Sequence, residues 1–225
     1  MSSQAPFTPD RRARLRRARL YFVTDLRPDL GALLREALAG GVDMVQLRDK
    51  SASDEELLAA AAEARAACDE HGALLWLNDR PDLALAADAD GVHVGQDDEP
   101  VAEVRRAVGD DMLIGLSTHS PEQLDAALAT PDADQLSVGP VWETPTKEGR
   151  PAAGLEYVRH AAAHAGPDRA WFAIGGIDSS NIAEVVAAGA ERAVVVRAIR
   201  DAKDPRAAAA TLRAVLERNP VGAGR

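Results

Sequence analysis

Eight short apolar runs recur along this chain, and a helical, Ala- and Leu-rich segment follows each of them. The strand candidates are Leu20–Asp25, Met44–Asp49, Leu74–Asn78, Gly91–Gln96, Leu113–Thr118, Gln135–Pro140, Trp171–Gly176 and Arg192–Arg197. The helical patterns are Asp29–Ala39, Asp54–Glu70, Pro81–Ala86, Pro100–Val108, Pro121–Ala129, Leu155–Ala165, Ser180–Ala188 and Pro205–Arg218. Start signals support them. Ser53 with Glu56 three residues on makes a capping box, and Pro121 after Ser120 suits a first helical position. Gly40-Gly41, Gly72 and Gly189 fall where helices should stop.

Strands alternating with helices imply a parallel sheet with helices over it. Eight such units in one chain of 225 residues imply a single closed (β/α)8 TIM barrel of class α/β. An open doubly wound sheet is the rival. Its glycine fingerprint is missing, because the first strand is followed by Thr24-Asp25-Leu26-Arg27-Pro28. The expected organisation is a basic arm over 1–19, the barrel over 20–218 and a short tail over 219–225. The arginine run in the arm reads as a leading helix on the barrel's base, with binding of an anionic partner as the alternative.

Composition narrows the function. With 36 acidic and 26 basic residues the formal charge is −10, a poor field for nucleic acid. No apolar run reaches the ~18 residues of a membrane span. The first residues carry arginines but no apolar core, so no secretory signal is expected. The single cysteine, Cys68, excludes an internal disulfide and fits a reducing cytoplasm. Only Lys50, Lys147 and Lys203 are lysines. So strong an arginine bias on an acidic chain suits a high-GC genome and a salt-adapted, halophilic host. It also singles out the lysines that remain, since Lys is a point charge and Arg a planar fork.

In a (β/α)8 enzyme the chemistry sits at the C-terminal ends of the strands. Gln46, Arg48 and Lys50 alternate onto one face of the second strand. Such a face calls for an anion: a phosphate or diphosphate, or else a rim carboxylate such as Asp49. Asp79 and Asp98 follow adjacent strands. Two carboxylates beside a cationic strand suit a Mg2+–diphosphate complex, although either aspartate could instead cap the next helix. Asp97 competes with Asp98 for the metal. The long segment after the sixth strand carries Thr144, Pro145, Thr146 and Lys147 and reads as a lid. Gly175-Gly176 fits a phosphate cup or a close packing turn. His93 reads as a barrel histidine with satisfied nitrogens, and His119 as either a packing residue or a proton relay. Trp76 and Tyr21 read as packing residues.

The ordered motifs resemble those of the thiamine phosphate synthase family. They are Tyr21-Phe22-Val23-Thr24-Asp25, Gln46-Leu47-Arg48-Asp49-Lys50, Asn78-Asp79, Gly91-Val92-His93-Val94-Gly95-Gln96-Asp97-Asp98, Gly115-Leu116-Ser117-Thr118-His119, Ser137-Val138-Gly139-Pro140-Val141 with Thr144-Pro145-Thr146-Lys147, and Ala173-Ile174-Gly175-Gly176-Ile177. The resemblance implies a transferase that joins 4-amino-2-methyl-5-(diphosphooxymethyl)pyrimidine to a thiazole phosphate and releases diphosphate. A thiazole carboxylate, where present, leaves as CO2. It implies diphosphate contacts at Gln46, Leu47, Arg48, Asp49, Lys50, Asn78, Ser117 and Lys147, with Arg48, Lys50, Ser117 and Lys147 carrying the catalysis. It implies Mg2+ on Asp79 and Asp98, and thiazole phosphate on Thr144, Pro145, Thr146, Gly176 and the backbone of Val196 and Arg197. Glu143 stands where the family usually has Pro, and Arg197 where a small Ser is common. The implied partners are small molecules, with no nucleic acid or membrane, and a homo-oligomer is left open. Two rivals share the fold: a thiazole tautomerase, which has no diphosphate to hold, and a non-catalytic phosphate-ligand sensor.

Lys147 carries a prediction of its own. A flexible ammonium can follow charge onto a leaving diphosphate, whereas a guanidinium prefers a fixed bidentate pose. Lys147→Arg is expected to lose most of kcat with little change in thiazole phosphate affinity. Steady-state kinetics check this; kcat within about twofold of wild type would remove Lys147 from diphosphate departure.

Overall fold

The computed structural model describes residues 11–144, 151–166 and 169–218. The strands are β1 (Leu20–Thr24), β2 (Met44–Leu47), β3 (Leu74–Asn78), β4 (Gly91–Val94), β5 (Leu113–Thr118), β6 (Gln135–Val138), β7 (Ala170–Ile174) and β8 (Ala193–Val195). All are parallel and pair in chain order, and β8 closes on β1 through Tyr21 opposite Val194. The helices are α1 (Arg11–Arg17), α2 (Leu30–Ala39), α3 (Asp54–His71), α4 (Pro81–Ala86), α5 (Val101–Val108) and α6 (Pro121–Leu128). They continue with α7 (Gly154–His164), α8 (Ile182–Ala187), α9 (Arg197–Arg200) and α10 (Pro205–Glu217). The chain is a (β/α)8 barrel.

The expected capping box forms: Ser53 Oγ accepts from Glu56 N at 3.2 Å, and Glu56 accepts from Ser53 N at 2.8 Å. Gly72 ends α3 in the left-handed conformation, at φ 67°. Six strands end one or two residues earlier than the sequence suggests, at Thr24, Leu47, Val94, Val138, Ile174 and Val195, and the last of these changes an element. The eighth strand stops at Val195, and Arg197 opens the short helix α9 instead of ending the strand. The β-branched run Val194-Val195-Val196 hides that turn from a reading by period.

Strand alternation sorts the side chains into two cores. Outward residues such as Phe22, Leu47 and Leu75 pack under the helices. Inward residues fill the barrel from its base. Leu15 and Ala18 join Met44, Leu74 and Leu113 there, so α1 and the turn after it close the bottom. Above them lie Tyr21, Trp76 and Phe172, with the Tyr21 ring 6.0 Å from Trp76 and 5.8 Å from Phe172. Gly91 makes room for Trp76, whose ring would lie 2.7 Å from a Cβ at that position.

The base is fastened by a repeated device. Asp43, Asp90 and Asp134 each precede an even strand. Each accepts a backbone N–H at the start of the preceding odd strand: Leu20 N at 3.0 Å, Leu75 N at 2.8 Å and Ile114 N at 2.9 Å. Each also pairs with an arginine from a covering helix, Arg213, Arg65 and Arg105 in turn. The arm's arginines join the same carboxylates, Arg11 reaching Asp90 and Arg12 reaching Asp134, both at 3.1 Å. These contacts favour the leading-helix reading of the basic arm.

Asp90 is 3% exposed, so its loss leaves the Leu75 N–H without its acceptor and removes the buried carboxylate that Arg65 shares with Arg11. Removing one partner of a buried pair costs roughly 3–5 kcal/mol. Asp90→Ala is expected to lower the urea unfolding free energy by about that amount. A loss below ~1 kcal/mol would show that the base does not depend on the staple.

Candidate active site

Polar side chains join the inward face toward the C-terminal ends of the strands, and there the barrel opens into a cleft of about 330 Å³. Gln46 forms part of its floor and donates from Nε2 to the Tyr21 hydroxyl at 2.5 Å. Burial pushes the Tyr21 phenol far above its ordinary range, so it stays protonated. Arg48 lines the wall above Gln46 as alternation requires. Asn78, His93, Ser117 and His119 continue the lining around β3 to β5. Thr144, Gly176, Val196 and Arg197 line the opposite side.

Some expected contacts stand elsewhere. Leu47 points outward into the core beneath the helices. Asp49 accepts from Ser51 N at 2.9 Å and Ser51 Oγ at 2.7 Å, which holds its carboxyl below the usual carboxylate range. Lys50 lies on the rim with Nζ 3.8 Å from Asp79. Pro145, Thr146 and Lys147 lie outside the described residues.

Asp79 and Asp98 meet at the rim. Asp79 has φ 60°, a left-handed conformation that a non-glycine residue adopts at a cost. Its carboxyl is pushed up by burial first, then by the charge of Asp98 and a hydrogen bond with it; Lys50 and Asn78 act against this. Asp98 also accepts from Gly95 N at 2.7 Å. Neither aspartate caps a helix, since α4 begins after Arg80 and α5 after Pro100. The capping alternative therefore fails for both. Two facing carboxylates beside a cation suit a divalent ion that completes its shell with phosphate oxygens and water.

His93 has both ring nitrogens engaged. Nδ1 lies 3.1 Å from Gln135 Oε1, and Nε2 lies 2.9 Å from Ser117 Oγ. His119 sets Nδ1 2.7 Å from the Gly139 carbonyl oxygen. The sequence reading missed Gln135 and Ser137, which belong to this polar floor, and Asp178 and Asp201 on the rim. Gln135 and Ser137 alternate onto the inner face of β6, and two polar residues on an inward face were the available signal.

Electrostatically the cleft stands apart from the rest of the molecule. Most described arginines hold carboxylates or carbonyls. The side chains of Arg48 and Arg197 make neither a hydrogen bond nor an ion pair among the described residues, and both face the cleft. The Asp178 carboxyl is lowered first by its hydrogen bond from Ser180 and the Asp201 carboxyl first by its hydrogen bond from Arg200, with the Arg197 charge adding to both.

A barrel with two cations and a carboxylate pair around one cleft is the arrangement of an enzyme for anionic small molecules. Residues 20–199 match the family described as thiamine monophosphate synthase. A thiamine-phosphate synthase of Saccharopolyspora erythraea is 57% identical, covering 91% of this chain and 96% of that protein. One from Thermobifida fusca is also 57% identical, over 90% and 94% of the two chains. Among solved structures, the thiamine phosphate pyrophosphorylase of Pyrococcus furiosus superposes with a TM-score of 0.82. It is 34% identical and covers 92% of this chain and 98% of that one. The chain belongs to the thiamine monophosphate synthase family and is an enzyme of the transferase class. No described helix is long and apolar enough to cross a membrane.

Proposed function

We propose that the cleft condenses 4-amino-2-methyl-5-(diphosphooxymethyl)pyrimidine with a thiazole phosphate, yielding thiamine phosphate and diphosphate. Membership of the family, across nearly the whole barrel, carries this reading. The tautomerase and sensor alternatives are not favoured, because the curated relatives named above are synthases.

The residues divide the work by charge. The methylene carbon–oxygen bond breaks and its electron pair leaves on the diphosphate oxygen. Arg48 supplies a bidentate fork for that group, and Lys50 a point charge at the rim. Asn78 and Ser117 contact the same substrate, and Lys147 adds a second ammonium. The thiazole nitrogen then forms the new carbon–nitrogen bond with its lone pair. Thr144, Thr146, Gly176 and the backbone at Val196 and Arg197 hold the thiazole phosphate; a carboxylate on that ring leaves as CO2, and the ring carbon keeps the electron pair of the broken bond and takes a proton from water. Asp79 and Asp98 would hold Mg2+, which when bound neutralises charge on the diphosphate. Pre-placed charge of this kind is worth several kcal/mol in a transition state. No protein nucleophile is needed.

Diphosphate release from the two substrates tests the reading directly. Release should require both substrates and Mg2+, and Arg48→Ala should lower kcat/KM by at least ~100-fold. No release from purified wild-type protein under any condition would overturn it.

The metal assignment has its own test. Asparagine tolerates the left-handed conformation, so Asp79→Asn keeps the backbone while removing one charge. The variant is expected to melt no lower than wild type without metal. It should lose the rise in Tm that Mg2+ with inorganic diphosphate gives wild type. An undiminished rise would take Asp79 out of the metal site.

A further inference from the structure

One side chain ties the turn after β7 to itself. Asn181 Nδ2 donates to the Gly176 carbonyl oxygen at 2.8 Å, and Asn181 Oδ1 accepts from Asp178 N at 2.9 Å. A carbonyl oxygen only accepts and a backbone N–H only donates, so the two partners fix which way round the amide sits. Gly176, Ile177 and Asp178 line the cleft, and Asn181 does not. Asp178 N is committed to Asn181. Gly176 N and Ile177 N have no acceptor among the described residues.

The Gly176–Ile177 peptide is trans, and across a trans peptide the C=O and the N–H point in opposite directions. With the Gly176 oxygen held toward Asn181, the Ile177 N–H is turned away from Asn181. The Ile177 side chain is buried in the core beneath the helices, so what Ile177 brings to the cleft is its backbone. Gly176 takes the left-handed conformation, at φ 67°. A glycine beside this peptide leaves it free to turn unless something holds its oxygen, and Asn181 is the group that does.

We propose that Asn181 is a positioning residue: from outside the cleft it fixes the Gly176–Ile177 peptide and so aims the Ile177 N–H at the phosphate of the thiazole substrate. An N–H already aimed at the place of an anion needs no reorganisation when the anion arrives. Successive N–H groups in a turn make a concavity for anions, here Gly176 N and Ile177 N. The proposal rests on the function above and deepens it, adding a residue that touches no substrate and works only through the backbone it holds. Its signature is selective. Asn181 matters to the phosphate of the thiazole substrate, and neither to the thiazole ring nor to the pyrimidine diphosphate.

Three constants read this out: KM for thiazole phosphate, KM for the pyrimidine diphosphate, and the inhibition constant of the phosphate-free thiazole alcohol against thiazole phosphate. Asn181→Leu keeps the volume and removes both bonds, and Asn181→Ala removes them without bulk. In each, KM for thiazole phosphate should rise at least about tenfold, with the other two constants and kcat within about twofold of wild type. A second readout needs no variant. In wild type the Ile177 amide proton should move downfield in a nitrogen–proton correlation spectrum when thiazole phosphate is added, and stay in place with the alcohol; in Asn181→Ala the shift should shrink. A purely structural role would weaken the alcohol and thiazole phosphate together. That outcome, an unchanged KM in both variants, or an Ile177 amide that does not respond to thiazole phosphate, overturns the proposal. A wild-type protein that forms no thiamine phosphate from its two substrates overturns the underlying function too, and that assay tells the two failures apart.

Discussion

Eight parallel strands closed into a ring enclose one interior, and every inward side chain must fit it at native density. The arrangement in this chain depends on how that volume is graded from base to mouth. The base is apolar and is closed by Leu15 and Ala18, with Tyr21, Trp76 and Phe172 above. The hydroxyl edge of Tyr21 meets Gln46, and from that level upward polar side chains on β2 to β6 share the interior with Val23, Ile174 and Val196. Two inward glycines permit the grading. Gly91 gives up its side chain to Trp76, and Gly115 gives up its own to His93 and Gln135. A methyl group at either place would collide with the residue it now accommodates.

Much of this was legible in the sequence, because period and position carry it. The alternation of strand and helix gave the barrel, and the inward parity of β2 put Gln46 and Arg48 on the cleft wall. What escaped has physical reasons. The helix α9 is only four residues long and follows a β-branched run, so no helical period could form. Gln135 opens β6, whereas the search for function looked at strand ends. The staples at Asp90 and Asp134 join successive strand–helix units, and the one at Asp43 reaches Arg213 only when the barrel closes; none of them leaves a periodic trace in the sequence. The arginines of α1 were legible as a leading helix at the base, but not the aspartates that Arg11 and Arg12 clamp.

The staples also explain how an acidic chain with a formal charge of −10 keeps cations available. At the base, aspartates hold arginines in place, and the charges cancel locally. At the mouth the pairing is left incomplete. Arg48 and Arg197 face the cleft from opposite sides with no ion pair among the described residues, so two guanidinium groups are available there to an incoming anion. Clefts with low-dielectric walls concentrate the field of such groups and draw anions toward it.

The carboxylate pair shows the same logic in reverse. Asp79 occupies a left-handed conformation, faces Asp98 at close range and caps no helix. On stability grounds each of these features is a cost, and backbone strain of this type is of order 1–3 kcal/mol. Asp79 N donates to the His93 carbonyl oxygen at 2.9 Å, which ties the strained turn to the end of β4. Asp98 is held in turn by Gly95 N, two residues after His93. The segment that carries His93 into the floor therefore also fixes both carboxylates at the rim.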